Sequence, residues 1–231
     1  MRKIAVVTTS RADYGHLRWP LKRLHEHPDG DVTLLVTTAQ LSPEFGLAVA
    51  EIEADGFPVD HRFEALLSSD TDVGMAKTIG VATLGIADVL GSLRPDLLLL
   101  IADRYEMLAP AAVALALRIP IAHVEGGDVS EGAIDDQVRN ALTKMSHLHF
   151  TPTELARRRV LAMGEEPWRV HRSGAPSLDQ LARSELLDDA ALRVALGGDV
   201  DPATVLVAYH PVTLDEDPAA ESGALFDALQ R

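Results

Sequence analysis

The feature that most constrains the fold of this chain is an alternation of short, uninterrupted apolar runs with longer stretches of helical periodicity. The apolar runs predict buried parallel strands, because a strand covered on both faces has no polar alternation. They are Ile4–Thr8, Val32–Val36, Leu97–Ile101, Ile119–Val124, His147–Thr151 and Val205–Ala208. The helical stretches are Leu17–His27, Leu47–Asp55, Gly74–Leu93, Leu108–Leu117, Ile134–Met145 and Thr153–Met163. This spacing predicts an α/β fold with a doubly wound, mostly parallel, Rossmann-like sheet.

A domain boundary is expected near residue 172, where Ser-Gly-Ala-Pro-Ser follows the first unit. We therefore predict a Rossmann-like domain over residues 1–172 and the beginning of a second, incomplete one over residues 173–231. The second part offers a short amphipathic helix at Asp188–Gly198, one strand at Val205–Ala208 and a last helix reaching Arg231. A single strand cannot form a sheet of its own.

The charge and cysteine content exclude several classes of protein. The chain has 21 basic and 35 acidic residues, a net charge of −14, and such a field repels DNA and RNA. It has no cysteine, so disulfide frameworks, thiolate zinc sites and cysteine nucleophiles are ruled out. We find no signal peptide and no uninterrupted apolar run of the ~18 residues that a membrane span needs. A cytoplasmic protein with no membrane partner is expected.

The loops that follow the strands are the expected ligand sites, because open α/β sheets bind ligands beyond the carboxyl ends of their strands. Four loops qualify and all are polar: Thr9–Gly15, Ala102–Glu106, His123–Asp128 and His210–Thr213. The first places Arg11 at a helix N-terminus, a position that favours an anion. It lacks G-x-G-x-x-G, and no Walker A or G-x-S-x-G motif occurs, so a dinucleotide cofactor is not indicated.

Several of these residues also have a purely structural interpretation. Asp103 fits an N-cap of the next helix, although that explains neighbouring Arg104 less well. At the third loop a functional role is favoured, since two glycines after His and Glu permit close approach of a ligand. A negative charge at the start of a helix is stabilising in itself, so one of the two paired acids needs no functional role to explain it. His147 and His149 form a His-x-His pattern that can bind metal, but no third ligand has a matching spacing, and we predict no metal site.

Six ordered motifs together carry a specific resemblance. The chain resembles the UDP-N-acetylglucosamine 2-epimerase family, and its hydrolysing branch in particular, through Arg104 and Gly126. The motifs are Thr9–Gly15, Asp103–Glu106, His123–Gly127, Ile134–Arg139, Thr143–His149 and Tyr209–Thr213. Ala102 replaces the family's usual glycine, a change expected to cost little at a strand end. The resemblance implies a two-domain glycosyltransferase-B architecture, of which this chain holds the first half and lacks the later uridine-binding elements.

The resemblance also implies the roles of individual residues. UDP-N-acetylglucosamine and water would give N-acetylmannosamine and UDP through a 2-acetamidoglucal, a step in sialic acid precursor synthesis that needs no cofactor. The implied catalytic residues are Asp103, Glu125, Asp135, Asp136 and His210. The implied substrate-binding residues are Arg11, Tyr14, Arg104, His123, Gly126, Gly127, Arg139 and Gly174. Which carboxylate is acid and which is base stays open.

Two alternatives remain open at this stage. The same chemistry could act on a UDP-diacetamido-trideoxyhexose used for legionaminic-type acids. The chain could instead be a non-catalytic nucleotide-sugar binding fragment, and residues 1–231 alone are expected to be inactive. The family implies a homodimer or homotetramer, for which the helices Gly74–Leu93 and Leu108–Leu117 offer apolar faces.

Overall fold

A single parallel sheet organises the protein. The computed structural model describes residues 1–69, 71–198, 201, 203–214, 217, 219–220 and 222–230. Its strands are β1 (Arg2–Thr8), β2 (Gly30–Thr37), β3 (His61–Phe63), β4 (Leu97–Ile101), β5 (Ile121–Val124), β6 (Leu148–Thr151) and β7 (Val170–Arg172). Their order across the sheet is β3-β2-β1-β4-β5-β6-β7, and every neighbouring pair is parallel. The predicted doubly wound architecture is thereby confirmed.

Helices cover both faces of this sheet. They are α1 (Arg11–Glu26), α2 (Val49–Ala54), α3 (Asp72–Leu93), α4 (Leu108–Leu117), α5 (Asp135–Met145), α6 (Glu154–Ala162), α7 (Ser177–Arg183), α8 (Asp189–Leu196) and α9 (Ser222–Leu229). Helices α3, α4 and α5 pack in series, while α1 packs against α7. The central strands are buried and aliphatic, as the low aromatic content requires; Val6, Leu34, Leu100 and Ile121 are all fully buried.

The order of the strands fixes the place of the site. From β1 the chain winds outward through β2 to β3, and then returns to add β4 on the other side of β1. The loops after β1 and β4 therefore diverge at the topological switch point, which opens a crevice at the carboxyl edge of the sheet. The loop after β5 borders the same edge.

One predicted strand does not form among the described residues, and two observed strands were not predicted. Residues Val205–Ala208 are exposed and irregular, because no described strand lies beside them to satisfy their backbone hydrogen bonds. The missed strands β3 and β7 are short edges of the sheet with largely exposed residues, so they carry little hydrophobic signal. The sheet ends at Arg172, and the domain boundary near it stays a prediction.

Helix α3 departs from the expectation that no segment has the length of a membrane span. Among the described residues it alone is long and apolar enough to cross a membrane by length and composition. The sequence argument overlooked it because Lys77 and Asp88 interrupt the apolar run. Its buried residues Ala82, Ile86 and Leu90 recur at helical spacing on one side, and the helix packs against α4, as in a core helix.

Candidate active site

The loop after β1 is held by a buried carboxylate. Ser10 caps α1, and Asp13 accepts hydrogen bonds from the backbone amides of Thr9 (2.9 Å) and Ser10 (3.1 Å) and from the Thr9 hydroxyl (2.6 Å). The Thr8 hydroxyl is a further donor to the same carboxylate. Burial raises the pKa of Asp13 above its ordinary value, although these donors oppose the shift. Asp13 therefore fixes the start of α1 and has its acceptor capacity filled by the protein.

The two predicted binding residues of this loop lie in different surroundings. Arg11 is exposed at the N-terminus of α1 and forms an ion pair with Glu51 (2.8 Å). Tyr14 is buried, and its hydroxyl donates to Asp55 (2.6 Å). Burial and this hydrogen bond raise the pKa of Tyr14. Arg11 is therefore exposed but paired with Glu51, and the structure gives Tyr14 a packing role, so substrate contact by either residue stays a prediction.

The loop after β4 carries two neighbouring side chains that take part in different ion pairs. Asp103 forms a hydrogen-bonded ion pair with Arg139 of α5. Arg104 forms a two-pronged pair with buried Glu106, through Nε (3.1 Å) and Nη2 (2.6 Å). The helix-cap interpretation of Asp103 is wrong, because the 3₁₀ turn that follows has no side-chain cap. The strand end thereby presents an acid and a partly exposed guanidinium side by side.

Arg139 has hydrogen-bond donors that the described residues do not use. Its side chain is 9% exposed, yet its buried Nε and Nη1 have no hydrogen-bond partner in the part of the chain that the structure describes. A buried cation with free donors is costly, since its lost hydration is only partly replaced. The site residues Asp103 and Arg139 are therefore brought together, and two unsatisfied donors of Arg139 accompany them.

The predicted binding residue His123 is a fully buried link between strand ends. Its Nε2 lies 2.8 Å from the Ala102 carbonyl, which can only accept, so Nε2 carries the proton. Its Nδ1 then accepts from the Thr143 hydroxyl (3.2 Å). Burial lowers the pKa of His123 to about 4, so the ring is neutral at neutral pH. Both ring nitrogens are taken by the protein, which makes His123 a positioning residue in this structure.

The backbone bends sharply at both strand ends. Ala102 has φ +59° and Glu125 has φ +66°, in the left-handed region that disfavours residues with a Cβ. The expectation that alanine costs little at position 102 is wrong for this reason. Strained residues of this kind cluster at functional sites, where the surrounding structure holds them. Here the two bends lie at the carboxyl ends of β4 and β5, one directly before Asp103 and the other at Glu125.

Glu125 has a partner that sequence reasoning missed. Its Oε2 lies 2.7 Å from Nδ1 of His16, which comes from α1. The hydrogen bond to Glu125 raises the pKa of His16, against a smaller opposing effect of burial. The separation of 109 residues hides the pair in the sequence; the one available signal is that His16 directly follows the Thr9–Gly15 motif. Burial and the charge of Glu125 also raise the pKa of Asp128.

Both glycines after Glu125 are explained by close packing. A Cβ on Gly126 would lie 2.9 Å from Thr143 Oγ1 and 3.0 Å from His123 Nδ1. Gly127 has φ +87°, and a Cβ there would lie 2.3 Å from the Ala156 carbonyl oxygen. The room that the sequence analysis assigned to a ligand is taken up by α5 and α6, and ligand contact at these glycines stays a prediction.

The two acids at the start of α5 differ in their contacts. Asp136 accepts from the Ser130 backbone amide (3.3 Å) and the Asn140 side chain (3.2 Å). Asp135 has no such bond among the described residues and lies one turn before Arg139. Of the pair, Asp135 is the carboxylate left available, and it lies on the side of α5 that faces the Asp103–Arg139 pair.

The two remaining predicted residues are His210 and Gly174. His210 is exposed in an irregular segment, but the residues after it return to the site, because the Leu214 amide donates to the Gly132 carbonyl (3.1 Å). Gly174 lines an apolar cavity of about 410 Å³ between α1 and α7, and Val124, the residue before Glu125, lines the same cavity. Contact of Gly174 with the substrate stays a prediction.

The His-x-His pattern is divided between core and surface. His149 is fully buried and pairs with Glu165 (3.2 Å), whereas His147 is exposed and accepts from the Ile121 amide (3.2 Å). Among the residues that the structure describes, no group of three or more His, Asp or Glu side chains could hold a metal ion.

Comparisons with known proteins were made with this geometry in hand. A family model described as UDP-N-acetylglucosamine 2-epimerase matches residues 22–231. The chain is 40% identical over 217 residues to UDP-N,N'-diacetylbacillosamine 2-epimerase (hydrolyzing) of Legionella pneumophila, covering 94% of this chain and 57% of that protein. It is 36% identical to GDP/UDP-N,N'-diacetylbacillosamine 2-epimerase (hydrolyzing) of Campylobacter jejuni, with 93% and 56% covered. It is 31% identical to UDP-N-acetylglucosamine 2-epimerase of Neisseria meningitidis, with 93% and 56% covered.

The chain thus spans little more than half the length of these relatives. Among solved structures, the UDP-GlcNAc 2-epimerase from Neisseria meningitidis bound to UDP-GlcNAc matches with a TM-score of 0.70 at 18% identity, over 78% of this chain and 48% of that chain. The Methanocaldococcus jannaschii enzyme in complex with UDP-GlcNAc and UDP matches with a TM-score of 0.66 at 24% identity, over 79% and 51%. These likenesses confirm the fold as the first part of a glycosyltransferase-B-like architecture.

Proposed function

This chain belongs to the UDP-N-acetylglucosamine 2-epimerase family, and we propose that it supplies the sugar-side acid–base groups of a hydrolysing 2-epimerase whose substrate is a UDP-2,4-diacetamido-trideoxyhexose. Hydrolysing epimerases of nucleotide sugars are the relatives at 40% and 36% identity, and both are named for diacetylbacillosamine. The relative named for UDP-N-acetylglucosamine stands at 31%. The substrate first expected from the sequence is therefore kept as the second candidate.

The observation that carries the proposal is the meeting of three carboxylates at one edge of the sheet. Asp103 follows β4, Glu125 follows β5, and Asp135 begins α5 one turn before Arg139. Epimerisation at C2 needs a base on one face of the sugar and an acid on the other, since the proton leaves and returns on opposite faces. Carboxylates from separate elements suit that requirement better than a single acid.

The reaction divides into two steps that these groups can serve. Breaking the C1–O bond releases UDP, and a carboxylate takes the C2 proton that the developing oxocarbenium acidifies, which leaves a glycal. Water then adds at C1 while a proton returns to C2 from the other face. Arg11 at the helix N-terminus and partly exposed Arg104 are the cations suited to the departing diphosphate. Asp103, restrained by Arg139, and Glu125, restrained by His16, are the candidate acid and base.

The test measures binding and turnover with one preparation of residues 1–231. Each UDP-sugar is incubated with the protein in deuterated water, and we follow UDP release, deuterium at C2 and amide shift changes at Asp103, Glu125 and Arg139. Deuterated product that disappears in Glu125→Gln supports the full proposal, with a loss of at least about 10²-fold for removing a positioned acid or base. Binding without turnover is the result expected if residues 1–231 alone hold only part of the site, and it supports the sugar-binding half of the proposal. A protein that binds neither sugar, or a product that keeps its original C2 hydrogen, contradicts the proposal.

A further inference from the structure

Two clefts lie side by side next to the carboxylates and differ in chemistry. The smaller, of about 320 Å³, is lined by Ser10, Arg11 and Arg104 together with Phe45, Leu66 and Tyr105. The larger, of about 650 Å³, shares the last three of these residues. The first offers cations at the N-terminus of α1, whereas the second extends away from them.

The larger cleft has an apolar wall, defined here as Phe45, Leu66, Leu67 and Met75. The wall borders the candidate active site, because Tyr105 of the same cleft lies two residues after Asp103, and Ile134 directly precedes Asp135. Polar groups border other parts of the cleft: Thr71 caps α3 at the Gly74 amide (3.0 Å) and lies 3.2 Å from the Ser69 hydroxyl, and Glu44, Ser68, Asp72 and Thr213 also line it.

Packing of the core does not account for this wall. Phe45 ends a 3₁₀ turn, Pro43–Phe45, and is 60% exposed, while Leu66 and Met75 are half-buried. An exposed aromatic side chain beside half-buried aliphatic ones, within a cleft and not on a convex surface, is typical of a ligand contact. A ligand that contacts this wall must extend to it from the neighbouring carboxylates.

The geometry of a pyranose indicates which part of the substrate reaches the wall. With C1 at the diphosphate and C2 at the carboxylates, C4 and C5 with its C6 substituent lie on the opposite side of the ring. Resting on the proposed function, we infer that Phe45, Leu66 and Met75 determine sugar specificity by contacting the C4 and C6 substituents. They favour a 4-acetamido-6-deoxy sugar over one with hydroxyls at both positions.

The physical basis is the different cost of placing each substituent against apolar side chains. A methyl at C6 and the methyl of a C4 acetamido group gain from leaving water. Hydroxyls at the same positions lose hydrogen bonds to water where they contact the wall, because the hydrocarbon groups of its side chains offer none in return, and the polar groups of the cleft lie outside the wall. A site that must bind both sugars equally would need polar partners at this wall.

The experiment is ligand-observed NMR on residues 1–231 with the two UDP-sugars. Saturation transfer is expected to be strongest at the C6 and C4-acetamido methyl groups, and the diacetamido sugar is expected to bind about tenfold more tightly. Phe45→Ser with Leu66→Ser should remove that preference and the methyl enhancement while UDP binding is retained. Leu84→Ser, an exposed α3 position outside the cleft, is the matched control and should change neither.

The outcomes separate this inference from the function on which it rests. Equal binding of both sugars, or a preference that survives Phe45→Ser with Leu66→Ser, overturns the specificity assignment and leaves the proposed function standing. Binding of neither UDP-sugar overturns the proposed function, and the specificity assignment falls with it. Because Phe45 is exposed, loss of folding is not expected, and an unchanged amide spectrum outside the cleft checks this.

Discussion

Acidification is expected to destabilise this protein through His123, whose buried ring stays neutral well below the usual histidine pKa. Burial lowers the pKa of His123 to about 4, and the unfolded chain binds that proton at its ordinary value of 6.5. Between these values the unfolded state holds more protons than the folded one, so stability falls as pH falls. The contribution is smallest above about pH 6.5 and grows until the folded ring itself is protonated near pH 4.

The size of the effect follows from proton linkage. Each pH unit between the two pKa values is worth about 1.4 kcal/mol. Moving from about pH 7 to about pH 5 should therefore lower the free energy of unfolding by about 2 kcal/mol on account of His123 alone. That is a substantial fraction of the stability of an ordinary domain, which is about 5–15 kcal/mol.

The assay compares the protein with His123→Gln by urea denaturation near both pH values. Glutamine does not titrate, so groups common to both proteins cancel and the difference in pH dependence belongs to His123. The native protein should lose about 2 kcal/mol more than the variant over this interval. NMR titration of the histidine rings provides a second readout, in which His123 should not titrate above about pH 5. Equal pH dependence in the two proteins, or a native His123 titrating near 6.5, would refute the reasoning.

Three further predictions concern the strand ends. Ala102→Gly should raise the free energy of unfolding by about 1 kcal/mol in urea denaturation, because it relieves the left-handed strain; a destabilised variant would contradict this. Asp103→Leu should cost about 3 kcal/mol by leaving Arg139 buried and unpaired, and adding Arg139→Met should restore part of it; an additive loss would refute the pairing. The pKa of His16, which Glu125 raises, should return toward its ordinary value in Glu125→Gln, as measured by NMR. Because the pKa of His16 is raised in the folded state, the stability that this pair contributes is present below the unfolded pKa and is lost as pH rises through the folded pKa.

The central strands and the location of the site could be predicted from the sequence. Runs such as Leu97–Ile101 are apolar on both faces, so their burial in a parallel sheet follows from composition alone. The polar loops after them had to meet at one edge, because all parallel strands point the same way. Asp103 and Glu125, which follow adjacent strands, were therefore predictable at one edge, whereas the resemblance alone implied that Asp135 or Asp136 joins them.

The strands at the edges of the sheet could not be predicted from the hydrophobic pattern. Residues Val205–Ala208 satisfy the pattern of a strand, but a strand also needs neighbours to bond to, and none of the described strands lies there. Conversely, β3 and β7 form with little hydrophobic signal because neighbouring strands supply their hydrogen bonds. Whether an edge segment is a strand depends on what lies beside it.

The partners of the charged groups were decided only by the tertiary structure. The sequence left open whether Asp103 caps a helix, and packing of α5 instead pairs it with Arg139. Packing also encloses His123 between strand ends, and the substrate contact that the resemblance implied for it stays a prediction. Likewise, His16 meets Glu125 across 109 residues of chain. The sequence by itself determined the doubly wound sheet and the polar edge, since both follow from local apolar periodicity. Only the tertiary structure decided which charges pair and which ring stays neutral, because burial and distance between remote residues set those properties.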